Sequence, residues 1–394
     1  DVYKRQVVIT STAALGAATD NVTINSGGFL DVQTTTTNAY PTVMNGGSMG
    51  NSTGTASVYS GALTLQADTQ FNIGSTGGLT LAGAIGGAYG ITKMGTGTGN
   101  LALSAANSYT GITTINSGAI NLAGTVGDFG NTSQIIDNGN IYYSRANAGT
   151  ISAPISGTGG LILNNSSSNL TLSAANSFTG LISLTSSSGN TLTVTGSISP
   201  STSISISNTS APAAVIDFSS LTSPVSLVSI YGTSAATTVK LGSGGLTITG
   251  GNATIAATFT GSAPLTINGL LTLTATGAAI PNTVPITIGS TGSLTLTSGA
   301  YIGGAGNIYT NLLTNNGTFR YSGSTYSQVL SGGVTGSGNI IKDTAINTQL
   351  TISGTANYTG TSTVNAGYLV FGAATAAGAA VTLPPSNIAV GASG

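Results

Sequence analysis

Leucine and isoleucine alternate with threonine in many short stretches of the chain, as at 246–249, 271–274 and 294–297. Gly-Gly, Asn-Gly and Ser-Gly pairs separate these stretches. An alternation with a period of two places apolar side chains on one face of a strand and hydroxyls on the other. The pattern therefore predicts many short β-strands joined by tight turns.

The spacing of similar strands indicates how they are arranged. Thr-containing pairs begin at Thr247, Thr272 and Thr295, so that similar strands recur at nearly equal intervals. Intervals of this length are typical of solenoids, in which each coil packs on its neighbours and buries a continuous apolar column. We therefore predict an all-β fold, a parallel β-helix (β-solenoid) with about 20–25 residues per coil.

Three segments repeat a longer pattern, at 101–118, 170–184 and 350–367. Each contains L-x-[LI]-S, then Asn, an aromatic residue, Thr-Gly and a second short strand. Upstream of the second and third copies, 138–144 matches 316–322 and 155–159 matches 334–338. The repeat cores lie near 89–122, 155–186 and 334–371. We expect their first strands to point equivalent side chains inward, namely Leu101 and Leu103, Leu170 and Leu172, and Leu350 and Ile352.

The turn inside the core also has a physical interpretation. Asn107 is expected to turn the chain in a left-handed conformation and to bond the local backbone. Tyr109 is expected to cap the apolar column at a corner. Gly111 is expected to supply the conformational freedom needed before the next strand.

The first copy is preceded by Y-G-I-T-K-M-G-T-G-T-G at 89–99. Together with the Asn-aromatic-Thr-Gly core, this resembles the autotransporter-associated β-strand repeat, or passenger-associated transport repeat, of bacterial surface proteins. The second copy departs from the pattern, because Phe178 replaces Tyr and the later Asn-x-Gly is lost. The resemblance implies a parallel β-helix that is exported unfolded, often through an outer-membrane barrel, and folds at the cell surface.

Composition agrees with an all-β fold and removes several function classes. Only 4% of the 394 residues are charged, and His, Cys and Trp are absent, whereas ordinary domains are about 25% charged. Recurrent Leu, Ile and Val argue against disorder. No apolar run is long enough for a transmembrane helix. Seven basic residues are too few for a nucleic-acid-binding stripe.

The beginning of the chain differs from the rest. Residues 1–6 hold three charges and are interpreted as a non-native leader. Residues 7–394 are expected to form a single continuous solenoid fragment. We expect the protein to be secreted or located at the cell surface, in association with the outer membrane.

Candidate chemistry is sparse, because the only carboxylates are eight scattered Asp side chains: Asp1, Asp20, Asp31, Asp68, Asp128, Asp137, Asp217 and Asp343. Without His or Cys, the common catalytic triads and Cys/His zinc sites are excluded. Asp128 and Asp137 are the closest pair in sequence, and turn residues in loops are the favoured interpretation of all eight. We predict no catalytic, cofactor-binding or metal-binding residue and no cofactor. Tyr142, Tyr143, Tyr321 and Tyr326 are expected either to stack on sugars or to plug corners.

The favoured function is a structural or adhesive stalk or passenger segment without catalytic activity, whose partners are host or environmental surfaces or glycans. One alternative is a glycan-active β-helix enzyme domain. Another is an ice-binding face, suggested by the T-x-T pairs at 191–195 and 272–276.

Overall fold

The computed structural model describes residues 5–11, 14–16, 20–35, 39–74, 76–95, 97–165, 169–185, 189–207, 214–344, 347–372 and 388–390. Residues 1–4 of the expected leader lie outside the described residues. The chain divides into two compact units. The first comprises Asp1–Ser186 and Gly196–Ile198, and the second Ser187–Thr195 and Ser199–Gly394.

The first unit contains twenty-one strands, in chain order β1 (Arg5–Ile9), β2 (Val22–Asn25), β3 (Gly28–Val32), β4 (Thr42–Asn45), β5 (Ser48–Asn51), β6 (Ser57–Tyr59), β7 (Leu63–Leu65), β8 (Thr69–Ile73), β9 (Leu79–Leu81), β10 (Ile85–Gly87), β11 (Ile91–Met94), β12 (Leu101–Leu103), β13 (Thr113–Ile115), β14 (Ala119–Leu122), β15 (Ile135–Asp137), β16 (Asn140–Tyr143), β17 (Gly149–Ile151), β18 (Ile155–Ser156), β19 (Gly160–Leu163), β20 (Asn169–Leu172) and β21 (Ile182–Leu184), as counted among the described residues.

The second unit contains β22 (Thr191–Val194), β23 (Ser203–Ile206), β24 (Val215–Asp217), β25 (Val225–Leu227), β26 (Ser229–Lys240), β27 (Leu246–Ile248), β28 (Asn252–Thr260), β29 (Leu265–Ile267), β30 (Leu270–Leu273), β31 (Gly277–Ile280), β32 (Ile286–Ile288), β33 (Ser293–Ser298), β34 (Ala300–Ile302), β35 (Ile308–Tyr309), β36 (Leu313–Asn315), β37 (Thr318–Gly323), β38 (Gln328–Leu330), β39 (Val334–Gly336), β40 (Asn339–Lys342), β41 (Gln349–Ile352), β42 (Ala356–Tyr358), β43 (Ser362–Val364), β44 (Tyr368–Phe371) and β45 (Ile388–Val390). The one helical element among the described residues is a 3-10 turn, Ala305–Asn307.

Both units are parallel β-solenoids, which confirms the predicted fold class. In the first unit, β1, β3, β5, β8, β11, β13, β15 and β18 form one parallel sheet, β2, β4, β7 and β10 a second, and β6, β9, β12, β14 and β16 belong to a third. In the second unit, β25, β27, β29, β32, β36, β39 and β42 form one sheet, while β35, β38, β41 and β44 form another. In these parts of the chain, successive strands fall in different sheets, and each pairs with a strand of a neighbouring coil. By contrast, β19–β21 of the first unit all belong to the third sheet, and β22–β24 of the second unit likewise share one sheet.

Strand register gives the length of each coil, because residues paired in register lie one coil apart in the sequence. In the first unit, Leu101 pairs with Leu79, and Ile155 pairs with Ile135. In the second unit, Thr295 pairs with Thr272. The interval between the partners agrees with the predicted coil length in each pair. Longer coils occur where the chain makes an excursion, as through the 3-10 turn at Ala305–Asn307.

The inward side chains predicted for the three repeat cores are all buried. They are Leu101, Leu103, Leu170, Leu172, Leu350 and Ile352, and none exposes more than 1% of its surface. Alternating burial along β12 and β20 leaves Ala102 and Thr171 on the outer side of their strands. The period-two pattern therefore predicts correctly which residues form the column.

The aromatic residue of each core is buried beside the residue four positions later. In the first core, the hydroxyl oxygens of Tyr109 and Thr113 lie 2.8 Å apart and form a hydrogen bond. In the third core, those of Tyr358 and Ser362 lie 2.5 Å apart. The second core instead has Phe178, which is buried, with Ile182 at the same spacing.

The core asparagine acts differently from the expectation. Asn107 does not have a positive φ angle; its side chain joins neighbouring coils. Its Oδ1 accepts the N–H of Ile85 at 2.9 Å, and its Nδ2 donates to the carbonyl of Asp128 at 2.7 Å. Asn176 accepts the N–H of Ile155 at 3.0 Å in the same way. Asn357, which directly precedes its aromatic residue, is exposed on β42.

The core glycine is also required for a reason other than the one expected. Gly111 has no positive φ angle, so conformational freedom does not explain it. A Cβ at Gly111 would overlap the backbone of Tyr89 and Gly90 in the preceding coil. Gly180 and Gly360 are crowded in the same way by the preceding coil. The Thr-Gly glycine is therefore a point of close approach between coils.

Candidate functional site

A cavity of about 260 Å³ lies in the first unit beside the turn that follows β14. Its walls come from the turn around Asp128 and Phe129 and from the segment between Tyr143 and Ala153 of a neighbouring coil. Polar groups from Asp128, Thr132 and Arg145 meet apolar ones from Leu122 and Ile151 there. This mixed polar and apolar surface makes the cavity a candidate site for a small ligand.

The acid of the cavity, Asp128, is held by the backbone. Its Oδ1 accepts the N–H of Asn107 at 2.8 Å and that of Gly130 at 2.9 Å. These bonds fix the turn that follows β14, as expected for an Asp in a loop. The carboxylate thus combines a structural role with a position in the cavity wall.

The base of the cavity, Arg145, donates mainly to backbone carbonyls. Its guanidinium bonds the carbonyl of Gly127 at 3.3 Å, that of Thr125 at 3.2 Å and that of Ala148 at 3.3 Å. It also lies 5.9 Å from the ring centre of Tyr143, within cation–π range. Arg145 therefore ties two turns together at the mouth of the cavity.

The cavity does not bring Asp128 and Asp137 together. Asp137 does not line it; it ends strand β15, where it is 1% exposed. Glycoside hydrolysis in its common forms needs two carboxyl groups flanking one bond. Asp128 is the one carboxylate among the residues that line the cavity, so this cavity lacks that pair.

The remaining acids serve local contacts in separate places. Asp31, buried in β3, accepts bonds from Gln6, Gln33 and Ser52, and Asp68 accepts the N–H of Gly90. Asp343 pairs with Arg320. The expectation that the acids are loop residues holds for Asp20, Asp68, Asp128 and Asp343. It is wrong for three that lie in strands, Asp31, Asp137 and Asp217, and Asp1 lies outside the described residues.

Asp217 forms an ion pair with Lys240, with Oδ2 and Nζ 3.0 Å apart. Burial opposes ionisation of Asp217, but hydrogen bonds from Ser219 and the nearby Lys240 outweigh it and lower its pKa. The two residues are neighbours on adjacent strands β24 and β26, so this pair is a cross-coil contact.

Two buried lysines were not foreseen from the sequence. Lys93 and Lys342 occupy inward positions of β11 and β40, and both are fully buried. Lys93 donates to the carbonyls of Met94 at 2.9 Å and Ser117 at 3.4 Å. Burial lowers the pKa of Lys93 to about 8. The signal that could have identified them is their shared position, since each ends an I-x-K triplet that precedes the L-x-[LI] strand by the same interval.

The tyrosines considered as sugar platforms divide into two kinds. Tyr143 and Tyr321 are buried and act as core residues, although Tyr143 also contributes to the wall of the cavity. Tyr326 is 37% exposed and meets Tyr301 edge to face, with ring centres 5.5 Å apart. Tyr142 lies on the outer side of β16 with intermediate exposure.

The T-x-T pairs do not continue as a regular array. Thr191 and Thr193 lie beside Val215 and Asp217 of the next coil. Thr272 is followed by Thr295, but Thr295 is followed by Arg320. A more regular column, with one hydroxyl per coil, lies on the seven-stranded sheet of the second unit: Ser226, Thr247, Thr266, Thr287, Thr314 and Thr335.

Among the described residues, no group of three or more acids could hold a metal ion. No helix in the described part of the chain has the length and apolar character needed to cross a bilayer. Comparison with known protein families, with curated proteins and with solved structures finds no match to this chain.

Proposed function

We propose that this chain is a structural or adhesive segment, a stalk or passenger, of a secreted bacterial surface protein, and that it has no catalytic activity of its own. Its location would be the cell surface in association with the outer membrane. Its export would use an outer-membrane barrel or another secretion route. Its partners would be host or environmental surfaces or glycans.

The observation that carries the proposal is the reuse of one repeat core for packing. The L-x-[LI] strand, the buried aromatic residue and the close-approach glycine recur in both units. The described acids, by contrast, are dispersed among separate contacts. A repeat that keeps its packing residues while its polar residues vary is expected when the protein supplies an extended scaffold.

Export provides the first test. The chain is placed between a signal peptide and an outer-membrane translocator barrel in a Gram-negative host, and protease accessibility is measured on intact cells. We expect a surface-exposed product with the same resistant fragments as the purified chain. Retention inside the cell, with a control passenger exported normally, would contradict the proposal.

A glycan-active domain is the second candidate, and the Asp128 cavity is the observation that favours it. The test is a panel of bacterial, plant and host polysaccharides incubated with the purified chain. We expect no turnover by wild type. Turnover that is lost in a folded Asp128→Asn variant, but kept in Asp68→Asn, would replace the structural proposal with an enzymatic one.

A further inference from the structure

Two corners, one in each unit, have the same architecture but differ in one ionisable group. The Asp137 corner consists of Asp137, Gly139, Gly159 and Gly160. The Asn315 corner consists of Asn315, Gly317, Gly338 and Asn339, at the equivalent places of the matching sequence. Asp137 and Asn315 each end a strand stacked on an isoleucine of the preceding coil, Ile115 or Ile288.

The backbone hydrogen bonds of the two corners correspond one to one. Gly159 N–H donates to the carbonyl of Asp137 at 2.8 Å, and Gly338 N–H to that of Asn315 at 2.8 Å. Gly160 N–H donates to Gly139 at 3.1 Å, as Asn339 N–H does to Gly317 at 2.7 Å. The two side chains therefore sit in the same backbone frame, with one difference: Oδ1 of Asp137 accepts the N–H of Gly139, whereas Oδ1 of Asn315 has no hydrogen-bond partner among the described residues.

Both side chains are enclosed. Asp137 is 1% exposed and Asn315 is fully buried. A Cβ at Gly159 would overlap the Asp137 carboxyl group, and one at Gly338 would crowd the Asn315 amide. The backbone of the next coil thus lies directly on each polar group.

The Asn315 corner shows what this frame needs from the side chain. Asn315 Nδ2 donates to the carbonyl of Asn339 at 2.9 Å. The carbonyl of Gly160 is its counterpart in the first unit. An ionised carboxylate can only accept hydrogen bonds, whereas a protonated one also donates through its O–H. The frame therefore favours the protonated form of Asp137.

We propose that the Asp137 corner is a pH-sensitive contact between coils, in which the protonated carboxyl donates to the carbonyl of Gly160 and its ionisation loosens the coil contact at Gly159 and Gly160. Loss of the proton would place a buried negative charge beside a carbonyl oxygen, an unfavourable arrangement. The Asn315 corner would be insensitive to pH.

No described cation compensates such a charge. The preceding coil presents Ile115, and the following one presents Gly159. Lys93, one strand beyond Ile115 in the same column, donates to the carbonyls of Met94 and Ser117. The ion pairs found among the described residues, Lys240–Asp217 and Arg320–Asp343, lie in the other unit.

The electrostatics agree with the geometry. Burial raises the pKa of Asp137 to about 7, although the Gly139 N–H, which donates to Oδ1 at 3.0 Å, acts in the opposite direction. The folded state therefore binds more protons than the unfolded state between about pH 4 and pH 7. Linkage then requires stability to decrease as pH rises through this window.

The test compares wild type with Asp137→Asn by thermal unfolding between pH 4.5 and pH 8. All other titrating groups are shared, so their effects cancel in the difference. We expect the Tm advantage of Asp137→Asn to grow by at least about 3 °C from pH 4.5 to pH 8. The matched variant Asn315→Asp should lose Tm over the same range. A constant difference, or a variant less stable than wild type at pH 8, would overturn the proposal.

Hydrogen exchange supplies a measurement on unmodified protein. Protection of peptides covering 137–160 in wild type should decrease between pH 6 and pH 8 relative to peptides covering 315–339, which serve as the internal reference. This readout does not depend on either variant folding. Equal changes in the two segments would show that the Asp137 corner does not respond to pH.

Discussion

The first and third repeat cores solve the packing of their aromatic residue differently from the second. Tyr109 and Tyr358 each contact a hydroxyl four residues later, on Thr113 and Ser362. Phe178 has Ile182 at that spacing and no hydroxyl of its own. The polarity of both positions thus changes together, because a buried hydroxyl without a partner is costly.

A second difference separates the same cores. Lys93 is paired in register with Ile115, and Lys342 with Val364. The equivalent residue of the second core is Leu163, paired with Leu184. One inward position therefore accepts either an apolar side chain or a lysine whose ammonium reaches turn carbonyls. The three cores therefore share the positions of their buried side chains, while the polarity of each buried side chain matches that of its immediate neighbours.

The largest effect is expected at the inward position where all three cores bury an aliphatic side chain: Leu103, Leu172 and Ile352. Leu172→Asp buries a charge among apolar neighbours and should destabilise the first unit by at least about 4 kcal/mol. Limited proteolysis and chemical denaturation measure the loss. Thr171→Asp, on the outer side of the same strand, is the matched control and should remain near wild type. Equal protease resistance of both variants would show that the column is misassigned.

The lysine position is the next test. Folded Lys93 has a pKa of about 8, below its unfolded value of 10.5, so the unfolded state binds more protons between these values. Wild-type stability should therefore rise with pH across this window. The difference in unfolding free energy by which Lys93→Leu exceeds wild type should shrink by up to about 3 kcal/mol across the same window. Denaturant unfolding at pH 8 and pH 10.5 measures it.

Lys342→Leu is the companion variant for that experiment. Burial lowers the pKa of Lys342, but Asp343 opposes the shift, so the same trend should be weaker. A Lys93→Leu protein whose difference from wild type is independent of pH would mean that the Lys93 ammonium is well solvated in the fold.

The next variant places a polar hydroxyl at the aromatic position of the second core, where the residue four positions later is apolar. Phe178→Tyr should place a hydroxyl against Ile182 and cost about 1–3 kcal/mol. Adding Ile182→Thr recreates the pair of the first core and should recover part of the loss. A double-mutant cycle from denaturant unfolding measures the coupling. Additive effects would refute the matched-polarity interpretation.

The smallest effect distinguishes the two tyrosine cores from each other. In the first core, Thr113 also donates to Thr132 at 3.1 Å, so Tyr109→Phe leaves Thr113 with a partner. Tyr358→Phe removes the tyrosine hydroxyl that contacts Ser362. We expect Tyr358→Phe to cost about 1 kcal/mol more, measured by denaturant unfolding. The reverse order would mean that Ser362 finds a substitute partner.

The column of the solenoid could be predicted from sequence because it depends on a local rule. Alternation at 101–103, 170–172 and 350–352 identifies the inward residues, and the recurrence of the pattern gives the coil length. These features need no knowledge of which coil lies next to which.

The contacts between coils could not be predicted in the same way. The role of Asn107 depends on Ile85 and Asp128, which belong to the coils before and after it. The burial of Asp137 depends on Gly159 in the next coil. The turn propensity of Asp and Asn is a property of each residue alone. Whether the backbone of the next coil buries the side chain depends on the register between coils.

The close approach at Gly180 also restricts how such an array can lengthen over evolutionary time. This glycine fits against the backbone of Gly159, a glycine one coil earlier. An inserted segment that is not a whole number of coils would place a side chain where only a hydrogen fits. Gene duplications are therefore tolerated in whole-coil units, and shorter insertions are confined to excursions away from this corner, such as the one through Ala305–Asn307.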